Sequence, residues 1–202
     1  MFKSLLFMAL VATVSAHGNI TSPPARLPGP AMVEACGQAA VDSILADGGL
    51  PIESVVNPLD SCNLFFCRGA LLDDNIDIVQ EFFSGQVVNL TSQLPIPHEG
   101  PANVSIVLAA TNKILGEPLL VFDSYADENL PELPANNTAF SITIPDAGSG
   151  VEEACVEAGD CALQWFWFGT GAQQTYESCI DFVIVNTDDT TATKRRSTRS
   201  RM

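Results

Sequence analysis

Histidine occurs only twice in this chain of 202 residues, at His17 and His98, and the position of the first gives it an uncommon chemistry. Residues 1–16 have the layout of a secretory leader: Lys3, an apolar run from Leu5 to Val14, then small Ser15 and Ala16. With Val14 and Ala16 at the two positions a signal peptidase reads, the cut is expected after Ala16, and the mature protein then begins at His17. An N-terminal histidine offers its α-amine and its Nδ1 together, closing a six-membered chelate on one metal ion. The free α-amine titrates near ~8 and yields its proton to a metal at ordinary pH. An internal histidine offers an amide there instead. His98 lies in Pro95-Ile96-Pro97-His98-Glu99-Gly100-Pro101, where flanking prolines stiffen the loop and limit the wandering of the ring. Two imidazoles and an amine form a three-nitrogen set of the kind that suits copper, zinc and nickel alike. A chelate opposed by a second imidazole is T-shaped with open positions, a geometry suited to Cu(I)/Cu(II) cycling.

The elements that must position these groups read mainly as β. Val87–Leu94, Val104–Ala110, Leu119–Phe122, Phe140–Ile144, Leu163–Phe168 and Tyr176–Val185 are short, rich in β-branched or aromatic residues, and bounded by Pro, Gly, Asn or Asp. Residues 140–144 alternate as a half-buried strand should. Ala31 to Ala46 and about Asp74 to Phe83 read as helical or irregular. Many short strands with few helices predict an all-β sandwich carrying long loops and short helices. The tail from Thr187 to Met202 is polar and then basic, without apolar periodicity, and reads as disordered. The expected organisation is a leader over 1–16, one domain over 17–186 and a basic tail over 187–202. Lys194-Arg195-Arg196 in that tail reads as a dibasic processing site.

Six cysteines, Cys36, Cys62, Cys67, Cys155, Cys161 and Cys179, all follow the leader. An even number in an exported chain predicts disulfides rather than zinc. Spacing suggests local pairs Cys62–Cys67 and Cys155–Cys161, leaving Cys36–Cys179 as a long-range staple. Asn19, Asn89, Asn103 and Asn136 stand in N-x-S/T sequons, fitting a secretory route. All 24 acidic residues fall within 17–193, where the only cations are Arg26, Arg68 and Lys113. Such a surface repels nucleic acid and anionic membranes and is compatible with an uncharged polysaccharide; it also serves solubility alone. No second apolar stretch is long enough to span a bilayer and no lipid-anchor tail is seen, so the protein is expected to be secreted, extracellular and monomeric.

A resemblance sharpens this reading. His17-Gly18 followed by Ser22-Pro23 and Arg26, with Ala35-Cys36-Gly37, resembles the mature N-terminus of a fungal lytic polysaccharide monooxygenase, of auxiliary activity family sixteen. The likeness continues through Cys62-Asn63-Leu64, Cys67-Arg68-Gly69, Asp74-Asn75, Pro97-His98 and Ala102-Asn103-Val104-Ser105. It closes with Ala158-Gly159-Asp160-Cys161, Leu163-Gln164-Trp165 and the run from Gln173 to Phe182, and so spans nearly the whole mature chain.

The resemblance implies an immunoglobulin-like or fibronectin-like sandwich with one copper ion on a flat face. His17 carries over as the bidentate ligand, His98 as the third nitrogen and Tyr176 as the axial group. Gln174 carries over as a hydrogen-bond donor beside the metal. The plainer readings are a core aromatic for Tyr176 and a solvated loop side chain for Gln174. Asp181 could approach a metal in another strand register, but a slip of one residue flips its face, and it reads as a structural residue or one that supports the ligands from behind. The implied activity is oxidative cleavage of β-1,4-glucan such as cellulose at C1, using an external electron donor and O2 or H2O2. Two departures stand out. No third histidine is present to handle protons, which leaves Gln174, water or a carboxylate such as Glu99. Aromatics for a cellulose-binding face are scarce: Tyr125 is the only other tyrosine, and Trp165 and Trp167 read as core. The alternatives are a secreted copper-binding or transport protein on the same fold and, less in keeping with paired histidines, a glycan-binding module.

Overall fold

The computed structural model describes residues 17–185; the leader and the basic tail lie outside the described residues. Two sheets pack face to face. The smaller contains β1 (His17–Ser22), β3 (Val87–Ile96) and β7 (Ala139–Thr143), in the order β1-β3-β7. The larger runs β2 (Gln80–Phe82), β9 (Gln174–Ile184), β8 (Cys161–Gly169), β4 (Gly100–Leu108) and β5 (Lys113–Ile114), with β6 (Leu120–Tyr125) also paired to β4. All pairings are antiparallel except β2 with β9, which is parallel. The expected β-sandwich with short helices is what the chain forms.

The core lies between the sheets. Ile20, Val88, Leu90, Phe140 and Ile142 face Val104, Ile106, Leu163, Trp165, Trp167 and Tyr176 from the larger sheet. The outer face of the small sheet is solvated, so β3 alternates strictly between exposed and buried over residues 87–92. β8 and β9 are buried on both faces, because residues 23–79 fold across their outer side. That covering layer has its own apolar cluster of Met32, Cys36, Ala40, Val41, Ile44, Val55 and Ala70. It is tied down by the Arg26 amide, which donates to the Cys179 oxygen at 2.8 Å. The strict alternation of β9 sends Tyr176, Ile180 and Phe182 into the core, and Glu177, Cys179 and Asp181 to the covered outer face.

Three local expectations change. The helical stretch 31–46 is two helices, α1 (Pro30–Cys36) and α2 (Gln38–Ala46), broken at Gly37, whose φ of 88° and ψ of 153° suit glycine alone. The stretch 74–83, expected to be helical or irregular, follows one 3-10 turn (Leu72–Asp74), holds a second (Ile76–Ile78) and ends in β2. The disulfides are Cys36–Cys62, Cys67–Cys179 and Cys155–Cys161, so only the last of the expected pairs forms. Cys67 is drawn under β9, where it packs with Ala162 and Cys179, while Cys62 closes on the end of α1. Sequence spacing carries no information about which side of the covering layer each cysteine meets. A four-residue helix, α3 (Val151–Ala154), precedes the Cys155–Cys161 loop.

The sequons differ in setting. Asn103 is half-buried in the middle of β4, between β6 and β8, and its Oδ1 accepts from Ser105 Oγ at 2.9 Å, which makes it a poor glycan acceptor. Asn136 is exposed in the middle of a 3-10 turn (Ala135–Asn137), and Asn19 and Asn89 lie on strands of the small sheet. Among the described residues no helix is long and apolar enough to cross a membrane.

Candidate metal centre

Strand pairing alone carries both histidines to one end of the sandwich. His17 opens β1 opposite Ile96, the last residue of β3, and His98 follows two residues later in the turn to β4. The chain passes close to the core at Gly18: a Cβ there would meet Trp167 Cζ3 at 2.9 Å and Leu94 Cδ2 at 3.0 Å. Glycine therefore lets the N-terminal strand lie directly on the indole. On the other side, the Gly18 amide donates to the Gly49 oxygen at 3.2 Å, fixing the loop 47–50 against His17.

That loop delivers a carboxylate. Asp47 pairs with Nε2 of His17, the imidazole being 16% and the carboxylate 35% exposed. With Nε2 on Asp47, Nδ1 is the ring nitrogen that a six-membered chelate with its own main-chain nitrogen would use. In the chain as written this nitrogen is an amide; removal of residues 1–16 turns it into an amine.

His98 is fixed from three directions. Its main-chain oxygen accepts from Trp167 Nε1 at 3.1 Å. Its Nδ1 faces Glu128 Oε1 at 3.6 Å, and a Cβ at Gly169 would stand 3.0 Å from its own Cβ. The Nε2 atom is buried and has no hydrogen-bond partner. Buried polar atoms are nearly always satisfied, so an orphaned imidazole nitrogen calls for a partner. Glu128 is anchored as well: its Oε2 accepts from the Glu99 amide at 2.6 Å. The amides of Glu128 and Glu99 hold its carboxyl below the usual range, and His98 adds to this.

Tyr176 pairs with Trp167 across β8 and β9, and the two rings stack with centroids 4.3 Å apart at 23°. Its hydroxyl donates to Gln174 Oε1 at 2.8 Å. Burial, and then the carboxylates of Glu53 and Asp47, raise the phenol far above its ordinary value, so it remains a neutral donor. Glu53 is placed by the Thr175 amide, which donates to its Oε2 at 2.8 Å.

Trp167 thus touches the His17 strand, the His98 backbone and the Tyr176 ring, and Gly169, at the end of its strand, lies opposite Gln174. Asp181 does not join them. It faces the outer layer, where both its oxygens accept from Arg26 at 2.6 Å, a buried structural pair. Glu99 takes part through its backbone, its oxygen accepting from the Thr170 amide at 2.9 Å. Trp165, Trp167 and Tyr125 are buried, as core residues should be. Sequence reading missed Asp47, Glu53 and Glu128 as orienting carboxylates, since nothing in an acid-rich chain marks these three out.

Among the described residues no three side chains of His, Cys, Asp or Glu form a metal cage. The set here is of another kind, two imidazoles and a main-chain nitrogen. It fits one ion held by nitrogens: His98 offers an orphaned Nε2, and each imidazole has a carboxylate facing its other nitrogen.

No protein-family model matches the chain, and no curated protein matches it. Solved structures similar to it include a lytic polysaccharide monooxygenase of Jonesia denitrificans, 19% identical, covering 84% of this chain and 100% of that one, with a TM-score of 0.43. The cellulose-active monooxygenase CelS2, in complex with copper, is 12% identical over 83% of this chain and 98% of that one, TM-score 0.47. The AA15 monooxygenase of Thermobia domestica, in the Cu(I) state, is 17% identical over 83% and 98%, TM-score 0.40.

Proposed function

We propose that the mature protein, beginning at His17, is a secreted copper-dependent lytic polysaccharide monooxygenase that cleaves β-1,4-glucan oxidatively, with C1 as the site of attack. The observation that carries this reading is the buried, partnerless Nε2 of His98 at the same end of the sandwich as a His17 ring already turned onto Asp47. The N-terminal amine and Nδ1 of His17 and Nε2 of His98 would hold the ion, with the Tyr176 hydroxyl beside it. Copper bound there supplies one-electron redox chemistry toward O2 or H2O2 once an external donor has reduced it.

The remaining work falls to the chain. Asp47 and Glu128 fix the two rings. Tyr176, kept protonated by its burial, would offer a neutral phenol rather than a phenolate beside the ion. Gln174, whose amide oxygen accepts from Tyr176, would stand beside the ion as a hydrogen-bonding side chain. Both tryptophans and both tyrosines of the chain are buried, so none of these four forms an aromatic platform for a glucan. Binding to crystalline cellulose is accordingly expected to be weak.

That lack of a platform also favours the second reading, a secreted copper-binding or transport protein on this fold. One experiment separates the two. Copper-loaded protein starting at His17 is incubated with cellulose and ascorbate, and the soluble products are examined by mass spectrometry. Oxidised oligosaccharides that vanish in His98→Ala, and in a protein with one extra alanine before His17, support the monooxygenase. Tight copper binding without oxidised products leaves the binding protein.

A further inference from the structure

On the covered side of the molecule, between β1, segment 24–28 and the end of α2, lies a cleft of about 380 Å³. That is within the range occupied by small-ligand sites. Its walls include Ile20, Pro24, Leu27, Ile44 and Leu45, and Leu27 and Leu45 remain 66% and 62% exposed there. Two arginines, each 9% exposed, also line it. Their situations are opposite.

Arg26 is fully engaged: Nε and Nη2 donate to Asp181 at 2.6 Å, and Nη1 to the Ala70 oxygen at 3.0 Å. Arg68 has Nη1 on the Leu50 oxygen at 3.0 Å and, among the described residues, no carboxylate at ion-pair distance. Asp47 and Glu177 reach it only through space. Asp47 is committed to His17, and Glu177 accepts the amides of Cys67 and Arg68. Burial outweighs both carboxylates and draws the guanidinium down to about 10. The backbone of Arg68 is also strained, with φ at 52°, a conformation that costs a non-glycine residue free energy and persists only where the surroundings impose it. A buried, under-compensated cation in an open cleft is expensive unless an anion completes it.

We propose that this cleft binds a small organic monoanion, a carboxylate on a compact apolar body, with the carboxylate on Arg68 and the body against Ile20, Leu27 and Ile44. Guanidinium meets carboxylate in a planar two-bonded fork. The apolar walls favour a hydrocarbon body over a hydrated inorganic ion. The site involves neither the histidines nor a glucan, and it stands or falls apart from the proposed function.

The test is an NMR titration of the metal-free, isotope-labelled mature protein with benzoate, beside benzyl alcohol and sulfate. Saturable shifts confined to residues 20–28, 44–48 and 68 are expected, with both controls at least tenfold weaker. Arg68→Gln should lower benzoate affinity tenfold or more. Gly48→Leu should do the same by filling the cleft, since a Cβ at Gly48 meets nothing within 4 Å; it decides the matter if Arg68→Gln does not fold. Shifts elsewhere, no shifts, sulfate or benzyl alcohol binding as well as benzoate, or benzoate affinity unchanged in Gly48→Leu would each overturn the proposal.

Discussion

The indole Nε1 of Trp167 donates to the main-chain oxygen of His98 at 3.1 Å, tying the histidine loop to the centre of the large sheet. The same ring lies against Tyr176 and beneath Gly18. A residue that reads from sequence as simple core filling therefore sets the relative position of three groups of the candidate centre. Trp167→Phe keeps an aromatic body but leaves the His98 oxygen without its donor. Its expected cost is about 2–3 kcal/mol in urea unfolding, from an unsatisfied buried acceptor and a small cavity. Copper affinity, measured by calorimetry, should fall about tenfold because the ring of His98 loses its anchor. Reduced stability with unchanged affinity would show that the hydrogen bond does not position His98.

Asp47 orients His17 through Nε2. Asp47→Ala should weaken copper binding by about 10–100-fold, the usual effect of removing a partner behind a ligating histidine. Its effect on folding should stay under about 1 kcal/mol, because the carboxylate is part-exposed and such pairs contribute little to stability. Parallel calorimetry and thermal unfolding read the two quantities separately. A loss confined to stability would remove Asp47 from the centre.

Glu177 follows Tyr176 but faces the outer layer, with Oε2 buried and unpartnered. Burial pushes its carboxyl from the ordinary 4.5 up to about 7, against the pull of the Arg68 and Cys67 amides. The folded protein thus holds a proton that the unfolded chain has released between pH 4.5 and 7. Stability from this group is fully present below pH 4.5 and is lost as pH rises toward 7. Glu177→Gln keeps the shape and removes the titration. The metal-free wild type should lose on the order of 1–3 kcal/mol more than this variant between pH 4.5 and 7.5 in denaturant unfolding. Parallel stability curves for the two proteins would show that Glu177 titrates normally.

The parts of this structure that sequence makes legible are those whose cause is local. The alternation at 140–144 reports a strand with one wet face, and β8 declares itself by an apolar and aromatic run interrupted only at Gln164. His17 is legible because the residues before it read as a leader, and His98 because no other imidazole exists. The polar strand β1 is different: it forms because β3 offers it an edge, not because HGNITS favours extension. The break at Gly37 is visible only to an eye expecting that glycine to leave helical space. Asp47 and Glu128 reach the histidines through loop placement, 30 and 30 residues from their targets, a distance at which spacing says nothing.

The disulfide frame gives the last test. Cys67–Cys179 closes a separation of 112 residues and fastens the covering layer to β9, whereas Cys155–Cys161 closes a loop of 6. If the bonds act by restricting the unfolded chain, their contributions scale with the logarithm of loop length: about 4–5 kcal/mol for the long bridge and about 2 for the short. Replacing Cys67 and Cys179 together with alanine should therefore cost about twice as much in unfolding as replacing Cys155 and Cys161. The long bridge also lies behind the outer face of β9, one strand residue after another from Tyr176 and Gln174, so its loss should loosen the sheet that carries them. Hydrogen exchange of the β9 amides reads this directly, with protection expected to fall at residues 174–180 in the Cys67/Cys179 variant and to persist there in the Cys155/Cys161 variant. Equal costs for the two pairs, with β9 protection unchanged, would mean that the apolar cluster of the covering layer holds it in place without the bridge.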